Sequence, residues 1–217
     1  MKLAAPSLLP SLTPVSDLEP LAEQAREEEE PLEGLALERL VLTGPDFSGL
    51  TFRSVRFSHC RMAGCALRGA SFEDCVFEHC DLSNADMGES YFLRTAFSDC
   101  KGVGLDIRKG RLRDTSFESC QLKYLNLNTG KLRAVRFSRC DLEGAFLSGC
   151  TLNGMELHEA RLIQTSFFQT SLAGVDFTSS TLEAPALSDS AAELKGAVVD
   201  FYQAAGLAKR FGLIIKE

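Results

Sequence analysis

The chain has 217 residues, 45% hydrophobic and 24% charged, with a net charge of −7. It is long enough to bury a core as one domain with appendages, and no apolar run approaches the roughly 20 residues that a membrane helix needs. The acidity is local: residues 1–34 hold eight acids against Lys2 and Arg26, whereas residues 35–187 sum to −1 and residues 188–217 balance.

The N-terminal segment, 1–34, opens like a signal peptide at Met1–Ala5, but Pro6, Pro10 and Pro14 cut the apolar stretch short. A cytoplasmic chain is the reading. Pro20 suits the first position of a helix ahead of Leu21, Ala22 and Ala25, and Glu27–Glu30 ends it. A charge run of that kind reads as a solvated face.

From Leu37 to Leu187 every fifth residue is large and apolar, Gly102 alone excepted. A period of five is neither the 3.6 of a helix nor the 2.0 of a simple strand. The series two residues before the large positions is mostly small, and all eight cysteines fall in it, at 60, 65, 75, 80, 100, 120, 140 and 150. Phe57, Phe77, Phe97, Phe117 and Phe137 recur at intervals of 20, as do Cys60 to Cys140. Four five-residue units therefore make one turn of a square-sectioned coil, and like residues stack from turn to turn. At Gly102 a local distortion of 102–105 is expected, with Leu105 filling the space, and Leu125 below it.

The stretch 57–82 is dense in Cys and His, yet its cysteines are five apart where zinc pairs are spaced two to four. They read as buried ladder residues. His59 and His79 belong on the outside of the wall. Disulfides do not fit a reduced cytoplasmic chain, and neither a metal nor a cofactor is expected.

Units such as Ala70-Ser71-Phe72-Glu73-Asp74 and Cys80-Asp81-Leu82-Ser83-Asn84 resemble those of pentapeptide repeat proteins. The resemblance covers about 37–187 and implies an all-β solenoid, the right-handed quadrilateral β-helix, over 35–187. It says little about function, because function resides in sites and not in the fold.

The segment 188–217 reads as a capping module with an α-helix and a short strand. Asp200 and Gln203 begin the helix, Gly212 ends it, and Leu213–Ile215 forms the strand. Phe201, Ala204, Ala205, Ala208 and Phe211 fall mainly on one face. The tail resembles the C-terminal module of Qnr-like quinolone-resistance proteins at Leu194, Gly196, Val199, Gln203, Ala204, Leu207, Ala208, Gly212, Leu213 and Ile215, and is more similar to the loop-free chromosomal type. That resemblance implies a homodimer joined through the tail, and binding to DNA gyrase or topoisomerase IV with protection from quinolones. The dimer interface is expected at Phe201, Ala204, Leu207, Ala208, Phe211, Leu213 and Ile215, extended by outward Phe146, Ile163 and Phe168.

No nucleophile triad, phosphate loop or metal motif is present, so the chain reads as a non-enzymatic interaction module. Two surfaces stand out. Glu73, Asp74, Glu78, Asp81, Asp86 and Glu89 form an acidic stretch, but their unit numbers distribute them around the turn. Lys109, Arg111, Arg113, Lys131 and Arg133 fall at or beside one wall of successive turns, with Tyr91 one turn above. They offer an alternative site for an acidic protein or a phosphate-containing ligand, direct nucleic-acid binding being the less favoured use.

Overall fold

The computed structural model describes residues 3–210 and 212–215. Each turn of the coil bends four times, at positions whose numbers end in 4 or 9. In one turn the bends are Asp74 (φ 53°), His79 (53°), Asn84 (55°) and Glu89 (63°), all in the left-handed region. A non-glycine residue there costs about 1–2 kcal/mol, and the ladder hydrogen bonds on either side of each corner offset it.

Four walls result. The first centres on Phe52, Phe72, Phe92, Leu112 and Leu132, the second on Phe57 to Phe137. Met62, Leu82, Gly102, Leu122 and Leu142 line the third, and Leu67, Met87, Ile107, Leu127 and Leu147 the fourth. Pairing is parallel, with partners 20 residues apart. Tyr91–Ser98, Arg111–Glu118, Lys131–Ser138 and Thr151–His158 stack in register, for example Phe97 on Phe117 and Phe117 on Phe137. The second wall carries a column of near-parallel rings, with centroids 4.4 Å apart for Phe57/Phe77, 4.6 Å for Phe77/Phe97 and Phe97/Phe117, and 4.9 Å for Phe117/Phe137. A second column, Phe52, Phe72 and Phe92, stacks at 5.1 Å on the first wall and meets the other edge-on. These columns fill the core between Phe52 and Phe137, and mainly leucines continue it toward both ends.

All eight cysteines are free and buried. Each of seven Sγ atoms donates to the carbonyl 23 residues back, as Cys80 does to Phe57 (3.4 Å) and Cys150 to Leu127 (3.1 Å). Ser90, Thr95 and Thr165 make the same bond with their hydroxyls, to Leu67, Phe72 and Leu142. The small inner position thus selects for a compact donor as well as for size. Burial pushes the Cys65 and Cys75 thiols up to about 12. His59 and His79 stack on each other outside the wall, at 4.7 Å.

Gly102 departs from expectation. Its turn stays regular, with Gly102 N–H donating to Gln121 O and Leu105 N–H to Gly102 O. The missing volume is filled by side chains alone, because a Cβ there would meet Leu122 Cδ2 at 3.0 Å and Leu105 Cδ2 at 3.4 Å. Leu122 is the neighbour that sequence reasoning missed. Ladder bonds hold the backbone, so the side chains move.

Both ends are covered. Helix α1, Glu19–Glu28, has Pro20 in its first turn and ends on Glu29 at φ 55°. Leu18, Ala22 and Ala25 are buried against the first turn. At the other end pairing continues past residue 187, but with a two-residue slip: Ser166 pairs with Ala186, whereas Asp176 pairs with Val198. The extra residues form a single 3-10 turn, Ala192–Leu194. Helix α2, Phe201–Lys209, follows with a complete Asp200/Gln203 capping box. Leu213–Ile215 takes no ladder partner among the described residues, in place of the expected strand. A strand needs a second edge, and this segment is paired with none among the described residues.

Candidate interaction surfaces

The ladder register brings the basic residues together. Tyr91, Arg111 and Lys131 are consecutive partners on the first wall, and so are Leu93, Arg113 and Arg133. Neighbours in each column are about 4.8 Å apart along the rod. Lys109 sits at the corner just before. All five cationic side chains are exposed. Lys109 reaches Glu89 at 3.7 Å and Arg113 its neighbour Asp114 at 3.5 Å, whereas Arg111, Lys131 and Arg133 take no salt bridge among the described residues.

The acidic residues are not brought together. Glu73 lies on the first wall, Glu78 on the second, Asp81 on the third and Asp86 on the fourth, with Asp74 and Glu89 at corners. Most are also neutralised. Arg94 reaches Asp74 at 2.6 Å and Glu73 at 2.9 Å, Lys101 reaches Asp81 at 3.6 Å, and Arg68 reaches Glu89 at 3.5 Å and Asp86 at 3.9 Å. The Arg94 guanidinium, aided by the Ser7 N–H, holds the Asp74 carboxyl below its ordinary range. Long acidic stripes do not form here.

At the C-terminal end, α2 turns onto its own coil. Gln203 Nε2 donates to Phe177 O (2.9 Å) and Ser180 O (2.7 Å), and Arg210 donates to the carbonyls of Pro185, Leu187 and Ser188 at 2.8–3.1 Å. Glu193, 5% exposed, accepts from the Gln169 and Ser188 N–H groups and bridges the slipped turn. Sequence reasoning missed Glu193 and Arg210, since their partners are mostly main-chain groups that carry no residue signature. It gave Gln203 only its role at the helix start. The inward face is therefore Gln203, Leu207 and Arg210. Phe201 and Tyr202 point out, 79% and 84% exposed, and Leu213 and Ile214 are also exposed. Ala204 is exposed and Ala208 half-buried, while Phe211 lies outside the described residues. Phe146 and Phe168 lie exposed on adjacent turns of the fourth wall, and Ile163 is half-buried on the third. A cleft of about 760 Å³ separates α2 from Ser180–Pro185.

The pentapeptide repeat region model matches residues 70–147, and the pentapeptide repeats (8 copies) model matches residues 131–167. Over residues 70–167 the coil is a pentapeptide-repeat β-helix. No curated protein sequence matches the chain significantly. Among solved structures, a trypsin-treated form of QnrB1, a plasmid-mediated fluoroquinolone resistance protein, is 24% identical over 84% of this chain and 98% of that one, with a TM-score of 0.41. HetL, a pentapeptide repeat protein involved in heterocyst differentiation regulation in the cyanobacterium Nostoc, is 19% identical over 76% and 82%, with a TM-score of 0.32. A thylakoid-lumen pentapeptide repeat protein of Arabidopsis thaliana is 24% identical over 48% and 68%, with a TM-score of 0.31.

Proposed function

We propose that this chain is a non-enzymatic interaction module that docks through its basic wall onto an acidic protein surface or a phosphate-bearing ligand. One observation carries the reading: Arg111, Lys131 and Arg133 stand exposed on one wall with no ion partner among the described residues, Arg111 and Lys131 in register with Tyr91. Elsewhere on the coil, cations such as Arg94, Lys123 and Arg161 are spent on neighbouring carboxylates. Unpaired like charges held at ladder spacing repel one another, and an anionic partner relieves that repulsion. The test is anisotropy of a labelled polyglutamate peptide and of labelled polyphosphate, with the triple variant R111E/K131E/R133E as the control. At least tenfold weaker binding by the variant, with steep salt dependence in the native protein, is expected. Equal binding by both rejects the wall.

A second reading is Qnr-like engagement of a type II topoisomerase, gyrase or topoisomerase IV, by a cytoplasmic homodimer. It is favoured by the tail sequence at 194–217. Engagement by imitation of DNA would need a long acidic surface; the acidic residues here are mostly paired and spread around the turn, so this reading depends on shape. A gyrase supercoiling assay with and without a fluoroquinolone, over a wide range of added protein, decides it. Protection by both the native chain and the triple variant would place that function on another wall.

A further inference from the structure

Residues 3–12 belong neither to the coil nor to the α1 cap. They run along the rod, crossing the turns over the corner between the first and second walls. Thr13 N–H donates to Gly34 O (2.7 Å) where the segment leaves the first turn. Then Leu9 N–H donates to Ser54 Oγ (2.6 Å), Ser7 N–H to Asp74 Oδ1 (2.9 Å) and Ala4 N–H to Asp114 Oδ1 (3.2 Å). From Leu9 to Ala4 the strap covers the three turns between Ser54 and Asp114. That is about 14 Å of rod, matched by five residues of extended chain at about 3.1 Å each.

The corner is shaped for this. A Cβ on Gly34 would come within 3.1 Å of Leu9 Cδ1, so the Leu9 side chain lies directly over that glycine. Ser54 is only 3% exposed although it occupies an outward corner. Arg94, the one long side chain among these corners, folds back onto Asp74 and Glu73. The strap itself is uncharged, and Pro6 and Pro10 favour an extended backbone. Its hold is slight: Leu3, Pro6, Leu8 and Leu12 are half-buried, and none of residues 3–12 is fully buried. Every one of its three N–H bonds to the corner ends on a side chain and none joins the ladder.

We propose that this corner channel is a docking groove for an extended, proline-containing peptide without acidic residues, and that the strap is its resident occupant in cis. The groove presents acceptors, the Ser54 hydroxyl and the Asp74 and Asp114 carboxylates, and a guest supplies backbone N–H groups to them and an apolar side chain over Gly34. A partner segment of this chemistry enters when the strap lifts. Tethering gives the strap an effective concentration in the millimolar range, so it excludes weak guests and yields to tighter ones. The proposal is independent of the basic wall.

The test uses the full chain and a fluorescein-labelled peptide of residues 3–12. Ser7→Pro with Leu9→Pro removes two strap donors without altering the coil, and unchanged circular dichroism checks the fold. The labelled peptide is expected to bind this double variant at least tenfold more tightly than the native chain, and Asp74→Ala added to it is expected to abolish that gain. Absence of binding to the double variant, or equal binding to both proteins, overturns the proposal. Native-state hydrogen exchange gives a second readout. The Ser7 and Leu9 amides should exchange at least a hundredfold faster than the ladder amides of Ala96 and Asp106, and equal protection would show a strap that does not lift.

Discussion

Phe97 is held between Phe77 and Phe117 at 4.6 Å on each side, and 1% of it is exposed. Truncation removes one ring from a column whose neighbours cannot close the gap, because ladder bonds fix the turns above and below. Phe97→Ala is expected to cost about 3–5 kcal/mol, read as a fall in the urea midpoint. A loss below about 1 kcal/mol would mean that the column relaxes, contrary to the packing of a close-filled core. On the outside, single residues matter through charge. Lys123 at 2.8 Å and then Arg161 hold the Glu143 carboxyl at about 2, below its ordinary 4.5. A depressed folded value means that the stabilisation is fully present above pH 4.5. It fades as pH falls through the folded value near 2. Carboxyl-carbon NMR of Glu143 should show that low titration, and an apparent value near 4.5 would show that the three side chains do not cluster in solution.

The elements differ in how legible they are from sequence, and the reason is physical. The coil can be read because each wall must place one large and one small residue inward, so packing writes a period of five into 37–187. The basic wall follows from the same count, since a period of 20 assigns Arg111 and Lys131 to one column. The strap cannot be read, because its partners are Ser54, Asp74 and Asp114, residues equally at home on any solvated corner. Nor can the hold of the end cap on the coil, although its helix can, because Gln203 and Arg210 bind main-chain carbonyls. Gly102 misleads in the other direction: a missing side chain suggests a bent backbone, but Leu105 and Leu122 fill the space. The cap carries its own prediction. In a solenoid each turn contacts only its neighbours, so damage at an end stays local. Gln203→Ala leaves the Ser180 carbonyl without its donor and the Phe177 carbonyl with the Ser180 N–H alone, at a cost of about 1–3 kcal/mol. Amides of Phe177, Ser180 and Thr181 should exchange faster while those of Ala96 and Ser116 do not change. Uniform acceleration along the chain would show that the coil opens as one unit.

At the scale of the whole molecule, the covered ends leave one apolar region unexplained. Phe201, Tyr202, Leu213 and Ile214 are 60–90% exposed, and none is needed to hold α2 on its coil, which Gln203, Leu207 and Arg210 do. So many large apolar side chains exposed in one short segment seldom stay bare on a monomer. A two-fold contact buries the same patch twice and needs no second surface. It also offers an edge to Leu213–Ile215, which takes no ladder partner among the described residues: in a dimer its symmetry mate supplies one. The expectation is a homodimer joined through 194–217, with Phe146 and Phe168 extending the contact along the fourth wall and the N-terminal ends pointing away. Sedimentation equilibrium should then return twice the chain mass of 23.7 kDa. Phe201→Ser with Ile214→Ser should return the single mass without loss of the coil's circular dichroism, since both side chains are solvated in the isolated chain. Exchange at the Ile214 amide distinguishes strand pairing from a purely side-chain contact: it should slow as protein concentration rises in the native chain but not in the variant. A native chain that sediments as a monomer at tens of micromolar would leave α2 as a cap and nothing more, and would remove the tail-to-tail assembly from the topoisomerase reading.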